Sequence, residues 1–446
     1  MRIASCKGVQ KLALALLAML LCSSSAFAQY GGPSILSRGG NQPGRRGRAP
    51  VNFTAHFGTS TRYETGLLIP AKAGSDNLVP TTDDTGYSVE GGLYGGHDWR
   101  RQSIGVDYRG DYRWQQSQTQ FNGTNHVLAF DYVARVGKRL QFTLRESGGT
   151  TNRAFGSFAA PAFADSSRQG VPISELFDVR TYFAQSGLSA SWMKSPRFQV
   201  TAQIDAFFLK RKSFALINSQ GYNGSANAMY RLDRSTYVGA EYQFFSFEFP
   251  RAYSKTGAQG PGIRIRRKIG RSINIEGHGG LIFINSTGTE QVQLSPEVAA
   301  ILGRTTSPAS FIRDSIAPNV DVNATIQQSR GAVRIGFSNG IGAGNGVYLA
   351  TTRTTANAGY SYSGVKRASL GISGSWTRTS SASLTLNSFE GWQIGGGASY
   401  VLREGFNLTS NLDYRSFSGI ASQSRTGISF SFGLAYSTSR LPLSIW

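Results

Sequence analysis

Charged residues recur at every second position in parts of this sequence, and that spacing limits the chemistry they can do. The clearest run is Asp107, Arg109, Asp111 and Arg113, in which acid and base alternate. Side chains two residues apart in a β-strand point to the same face, so these four groups share one face. Such a row can form ion pairs along a wall, or it can present opposed charges to a passing solute.

The intervening positions are apolar or aromatic, so the segment predicts a strand with two unlike faces. The same alternation recurs over 198–208, 406–415 and 428–437. The segments run to roughly nine to fifteen residues, whereas strands of soluble sheets average about five or six and a tilted membrane strand needs about nine to eleven. We therefore expect strands that cross a membrane.

Short basic turns alternate with long polar connections along the chain. The long ones are Leu68–Asp84, Gly149–Val179 and Ser286–Asn319. This asymmetry is typical of transmembrane barrels with short periplasmic turns and long extracellular loops. The short turns are predicted at His97–Gln102, Gly137–Arg139, Lys194–Pro196, Asp233–Ser235, Ile269–Arg271, Ser329–Gly331, Val365–Ala368 and Arg403–Gly405.

These patterns predict an all-β fold, a transmembrane antiparallel up-and-down barrel of about 18 strands. An even number lets the first strand pair with the last, so that no sheet edge is left in lipid. If the first strand, 260–268 or the pair within 320–339 did not form, the barrel would have 16. The predicted strands are 51–60, 85–97, 103–116, 125–136, 139–148, 181–193, 197–212, 222–232, 236–249, 260–268, 272–285, 320–328, 332–339, 347–363, 368–380, 389–402, 406–417 and 426–437.

The first residues have the features of a secretory signal. A basic region precedes the apolar run Leu12–Leu21, and Ala26-Phe27-Ala28 is a small-x-small cleavage site. We predict a signal peptide over 1–28, cleaved after Ala28, a flexible basic periplasmic linker over 29–50, and the barrel over 51–446. Lipidation at Cys22 is the alternative, although Leu21 stands where a small residue is expected. The only two cysteines of the chain would leave with the signal, which excludes disulfides and cysteine catalysis.

Together, the signal, the repeated hairpins and the aromatic tail 441–446 resemble outer-membrane β-barrel proteins of bacteria with two membranes. The resemblance covers nearly the whole mature chain and is closest to large porin-like barrels with turns such as 230–235, YRLDRS. It implies an outer-membrane location, contact with lipid and lipopolysaccharide, and help from periplasmic chaperones and the barrel-assembly machinery. In that group a terminal aromatic is the assembly signal. Here Pro442 interrupts the last segment. The assembly signal is therefore either the internal segment 429–436 or the tail that ends at Trp446.

Of the net charge of +21, +3 belongs to the predicted signal and +4 to the linker, and nearly all of the remaining +14 lies at one end of the predicted barrel. The short turns and their flanks carry sixteen bases against three acids. A basic rim beside anionic headgroups explains this charge, at about 1 kcal/mol for each base. A funnel for anionic solutes is the second interpretation. A nucleic-acid partner is not expected, since a secreted chain without a basic helix or stacking module has nothing with which to recognise one.

Twelve charged residues are predicted to line the lumen, the space that the barrel encloses. They either pair into ladders that stiffen the wall or form rings of charge that set ion selectivity. The twelve are Asp107, Arg109, Asp111, Arg113, Asp131, Arg135, Arg145, Asp205, Glu241, Glu276, Asp413 and Arg415.

The four histidines do not point to an enzyme. None has a serine two residues later, and only His278, with Glu276 on the same face, could act as a base; a structural contact is the favoured interpretation. No phosphate-binding, dinucleotide or metal-ligand spacing occurs. We therefore expect no catalytic residue, metal or cofactor.

Three functions remain open from the sequence. The first is a passive porin-like channel for small hydrophilic solutes, with anionic solutes as a narrower alternative, since barrels of 16–18 strands enclose a channel. The second is a closed structural or surface-interaction barrel without conductance, in which an inward loop plugs the lumen. The third is a secreted soluble β-protein.

Overall fold

A computed structural model describes most of the chain after position 50. The described residues are 51–68, 81–116, 122–152, 180–213, 216–293, 297, 305–344, 349–365, 367–382, 388–403, 405–420, 423–438 and 441–443. The predicted signal and linker lie outside them, as do 69–80 and 153–179. Within the described ranges, no helix is both long enough and apolar enough to cross a membrane.

Almost every described residue belongs to a long antiparallel strand. The strands are β1 (Val51–Leu68), β2 (Thr81–Asp98), β3 (Gln102–Gln115), β4 (Gly123–Val136), β5 (Leu140–Asn152), β6 (Arg180–Ser195), β7 (Phe198–Arg211), β8 (Ser219–Arg231), β9 (Thr236–Phe249), β10 (Ser254–Ile269), β11 (Ile273–Gln293), β12 (Thr306–Gln328), β13 (Gly331–Gly342), β14 (Thr351–Val365), β15 (Ala368–Ser381), β16 (Phe389–Arg403), β17 (Phe406–Ile420), β18 (Gln423–Ser437) and β19 (Leu441–Leu443). A 3-10 turn, Pro250–Ala252, joins β9 to β10.

Each strand pairs with its neighbours in sequence, and the sheet closes on itself. β1 pairs with β2 on one side and with β18 on the other, for example Thr59 with Leu434. The short β19 continues the last strand position along β1, where Pro442 lies opposite Asn52. The barrel therefore has eighteen strand positions, and the alternative of sixteen is wrong. The strands predicted least clearly from the sequence, β1, β10, β12 and β13, are all present.

The two faces of the wall have inverted polarity compared with a soluble protein. In a closed barrel on its own, only the inner face can be covered, so the buried side chains mark the lumen. Glu64, Asp107 and Glu241 are buried, whereas Leu128, Ile372 and Phe432 are exposed on the opposite face. An outward apolar band around an inward polar face is the arrangement of membrane barrels.

The eight short turns all fall at one end of the barrel, as predicted, and both described chain ends lie there too. Gly270 and Gly405 turn the chain with positive φ angles of 60° and 83°, which glycine adopts without a steric penalty. In the β8–β9 turn, the Asp233 carboxylate accepts hydrogen bonds from the backbone N–H groups of Ser235 and Thr236 and from the Ser235 hydroxyl. These bonds lower the pKa of Asp233 to about 2, so the carboxylate stays charged down to low pH and continues to accept them.

One predicted loop is wrong. Ser286–Asn319 was expected to be a long connection, but β11 runs to Gln293 and β12 begins at Thr306. Pairing of β12 with β13 stops at Val320 opposite Asn339, so the first part of β12 pairs only with β11. Proline is tolerated on such an edge, and Pro318 can therefore lie within a strand.

Closure of the barrel predicts a specific cross-link. In Thr59→Cys/Leu434→Cys the two residues are direct partners on β1 and β18, so mild oxidation should form an intramolecular disulfide. The matched control is Thr59→Cys/Phe432→Cys, in which the second cysteine is displaced by two residues, about 7–8 Å away across the diagonal. Mass spectrometry after alkylation measures the yield. Equal yields from the two pairs would contradict the register.

Candidate functional site

The structure brings most of the twelve predicted lumen residues to the inner face. Asp107, Asp131, Asp205, Glu241, Asp413 and Arg415 are buried there. Arg109, Asp111, Arg113, Arg145 and Glu276 are half-buried on the same face of their strands, and Arg135 is exposed at the short-turn end. Their part in selecting a solute remains a prediction.

The alternating run on β3 forms ion pairs along its own strand. Arg109 lies 3.0 Å from Asp107, and Arg113 lies 2.7 Å from Asp111. Asn125 on β4 donates a second hydrogen bond to Asp111 at 2.8 Å. The ladder interpretation therefore describes this part of the wall, because each carboxylate is matched by a base on the same strand.

A denser polar cluster joins β9, β10 and β11. Arg264 donates two hydrogen bonds to Glu241, at 2.8 and 3.0 Å, and a third to Glu276 at 3.0 Å. His278 lies against Glu241 at 3.8 Å, while Arg266 also bonds Glu276. The imidazole contacts a carboxylate already held by Arg264, which is a structural role and not that of a base.

Sequence reasoning missed Arg264, although a signal was present. Ile263 and Ile265 flank it, and the alternation places Arg264 on the inward face of β10. What the sequence did not supply was its position relative to Glu241 and Glu276, because that depends on how neighbouring strands are staggered.

A buried hydrogen bond shows how sharply the wall curves nearby. Asn319 on β12 donates to Gln243 on β9 at 2.7 Å. Two strands lie between them, so the distance along the wall is roughly 14 Å. Two side chains of this size can meet only if the wall bends strongly inward. The wall is therefore strongly curved in the sector from β9 to β12.

The inner face is not polar throughout. Some of its positions carry large apolar side chains where a polar lumen was expected. Buried apolar side chains form a cluster in the half of the barrel toward the long connections, which we call the mouth cluster. It joins inward residues of β7, β9, β10 and β11 to residues at the end of β13 and in the connection that follows. Its members are Phe207, Phe245, Phe247, Phe249, Ala258, Ile282, Ile284, Ile341, Ala343, Leu349 and Ala350.

The mouth cluster brings the β13–β14 connection inward. Because the pairing of β12 with β13 ends at Asn339, the chain beyond it is free of that neighbour and can pack against the phenylalanines. Phe247 and Ala350 are wholly buried. Burial of a phenylalanine side chain contributes about 1.5–3 kcal/mol, so the cluster holds Ala343, Leu349 and Ala350, the described apolar residues of this connection, against the inner wall.

The basic rim predicted from the sequence is present. The turn bases in the described ranges are exposed at the short-turn end, for example Arg100, Arg101, Lys138 and Arg139. The exception is Arg231, which is half-buried and donates a hydrogen bond to the backbone carbonyl of Asp233. Among the described residues, no group of three or more histidine, cysteine or acidic side chains could hold a metal ion.

Comparison with known proteins gives structural neighbours only. No family model matches the sequence, and no curated protein matches it significantly. Among solved structures, OpdL of Pseudomonas aeruginosa is 13% identical, with a TM-score of 0.38 and coverage of 87% of this chain and 99% of that chain. A BenF-like porin from Pseudomonas fluorescens Pf-5 is 9% identical, with a TM-score of 0.43 and coverage of 86% and 99%. OccAB3 of Acinetobacter baumannii is 8% identical, with a TM-score of 0.39 and coverage of 87% and 99%. The predicted barrel architecture is confirmed by this chain's own strand pairing and closure.

The polar cluster predicts a stability difference between two carboxylates. Glu241→Gln leaves Arg264 and His278 without their buried anionic partner, so we expect a loss of about 3 kcal/mol in the free energy of unfolding. Glu390→Gln removes the exposed partner of Arg378 and should cost less than about 1 kcal/mol. Urea unfolding of the folded protein in detergent micelles measures both. If the two variants were equally stable, the cluster would not be holding the wall.

Proposed function

We propose that the protein is an outer-membrane channel that passively conducts small hydrophilic solutes. The observation that carries this proposal is the closed wall of eighteen strand positions with a lipid-type outer face and a charged inner face. Barrels of 16–18 strands are wide enough to enclose an aqueous channel. Export to the outer membrane agrees with the predicted signal peptide over 1–28 and the predicted periplasmic linker over 29–50. A barrel in that membrane would also contact lipopolysaccharide and the barrel-assembly machinery, which are therefore proposed partners.

A preference for anions is the finer part of the proposal. The exposed bases at the short-turn end raise the local concentration of anions at that entrance, and the acids of the inner wall on β1, β3, β4 and β9 have basic partners nearby, for example Arg62 beside Glu64. Paired carboxylates repel anions less than free ones do. Solutes with carboxylate or phosphate groups would therefore enter more readily than cations of equal size.

The mouth cluster favours a second candidate, a closed barrel with a structural or surface role. Apolar residues on both sides of the β13–β14 connection pack against inward phenylalanines, and apolar side chains on the inner face leave less of the lumen for water. In that case the charged side chains of the inner wall would only neutralise one another and stiffen the barrel. The two candidates differ in one property, whether the folded protein conducts ions.

Planar bilayer recording separates the candidates. We expect purified, folded protein to give discrete conductance steps in potassium chloride, because the polar lumen holds water. In a salt gradient the reversal potential should shift toward that of chloride. A folded protein that gives no steps would contradict the channel and favour the closed barrel. Steps with a shift toward potassium would contradict only the anion preference.

A further inference from the structure

The inner wall from β13 to β16 has a composition unlike the rest of the lumen. Most of its inward positions carry serine, threonine, asparagine or glycine, with a few apolar residues such as Phe389, and the charged ones are bases without an acid. The one acid in these four strands, Glu390, faces outward and pairs with Arg378 at 3.5 Å. The two strands beside β14, which are β13 and β15, contain no acid, so an arginine on β14 has no carboxylate on either adjacent strand.

Arg353 on β14 is such an arginine. It lies on the same face as the buried Thr351, with Gly340 of β13 and the buried Thr379 of β15 as its direct partners across the sheet. Its Nε atom is buried without a hydrogen-bond partner. Within the described part of the chain, its guanidinium makes no hydrogen bond or ion pair.

Other inward arginines show what Arg353 lacks. Arg109, Arg113, Arg145 and Arg264 each lie within 3.4 Å of a carboxylate oxygen. These four guanidinium groups are neutralised by a carboxylate, whereas that of Arg353 is not. Its neighbour Gly340 has no side chain to cover it.

A partly buried guanidinium without a partner is costly unless something in the lumen satisfies its donors. Its planar array of N–H groups matches the oxygens of a carboxylate or a phosphate, which it can bind through two parallel hydrogen bonds. We infer that Arg353 is a binding site for the anionic group of a solute, with the hydroxyl-rich wall of β14 and β15 around it. The inference rests on the proposed channel function, which gives solutes access to the lumen.

Binding to the folded protein in detergent tests this site without requiring conduction. Isothermal titration calorimetry with inorganic phosphate, and separately with acetate, at constant ionic strength measures the affinity for each anion. We expect saturable binding of one anion per chain in at least one arm. The arm that binds identifies the group as phosphate or carboxylate.

Three variants make the test specific. Arg353→Gln should raise the Kd at least tenfold, and Arg353→Lys, which keeps the charge but not the planar donor array, should fall between that variant and the unaltered protein. Arg378→Gln removes one positive charge from the outer face and should bind like the unaltered protein. The shift of each variant on gels after heating shows that it is folded.

Two results would overturn the inference. One is unchanged anion binding by folded Arg353→Gln, and the other is the absence of binding of either anion by the unaltered protein. These outcomes are separate from the channel itself. Conductance without anion binding overturns only the Arg353 site, and anion binding without conductance overturns only the channel.

Discussion

The whole structure depends on the need to satisfy every backbone hydrogen bond within the wall. A membrane supplies no water to an open sheet edge, so strands can cross it only as a closed barrel. Pairing of β1 with β18 achieves this closure, and the short β19, which contains Pro442, continues it along β1. Both described ends then lie on the side of the short turns. Residues 306–319 of β12 have no partner on β13, and this unpaired part of the strand lies at the end of the barrel with the long connections.

Closure also separates the two faces, and the inner face divides into sectors with different properties. On β3, and from β9 to β11, acids and bases neutralise one another in contacts of about 3 Å. Toward the long connections, apolar side chains hold part of the chain against the wall. From β13 to β16, hydroxyl groups surround Arg353, whose guanidinium has no partner among the described residues. A solute would meet an aqueous path whose chemistry differs from one side to the other.

Much of this could be predicted from the sequence because side chains in a strand alternate with a period of two. Asp107 and Tyr108 were assigned to opposite faces correctly, and the eight short turns were located by their basic and glycine residues. The loop predicted at Ser286–Asn319 was wrong because glycine and proline usually mark turns, whereas on an edge strand Pro318 is tolerated. Alternation also places Phe245 and Phe247 on the inward face, but their role was missed. Periodicity shows that two faces differ, and it does not show which connection packs against one of them.

Side-chain contacts between strands could not be predicted, because they depend on the relative positions of strands and not on any single segment. The hydrogen bond from Asn319 to Gln243 and the pairing of Arg264 with Glu241 follow from strand stagger and wall curvature. No local pattern around Arg353 distinguishes it from the paired arginines, because the decisive fact is the absence of an acid on the adjacent strands.

Single-cysteine labelling along β3 tests the central claim, a closed wall with an aqueous inner face and a lipid-contacting outer face. The chain's only cysteines, Cys6 and Cys22, fall in the predicted signal, so each introduced thiol would report alone. In liposomes, cysteines at Gly105, Asp107 and Arg109 should react with a small charged thiol reagent, and those at Val106, Tyr108 and Tyr112 should react only with a lipid-soluble one. Reaction of both sets with the charged reagent, or a pattern without a period of two, would contradict the account.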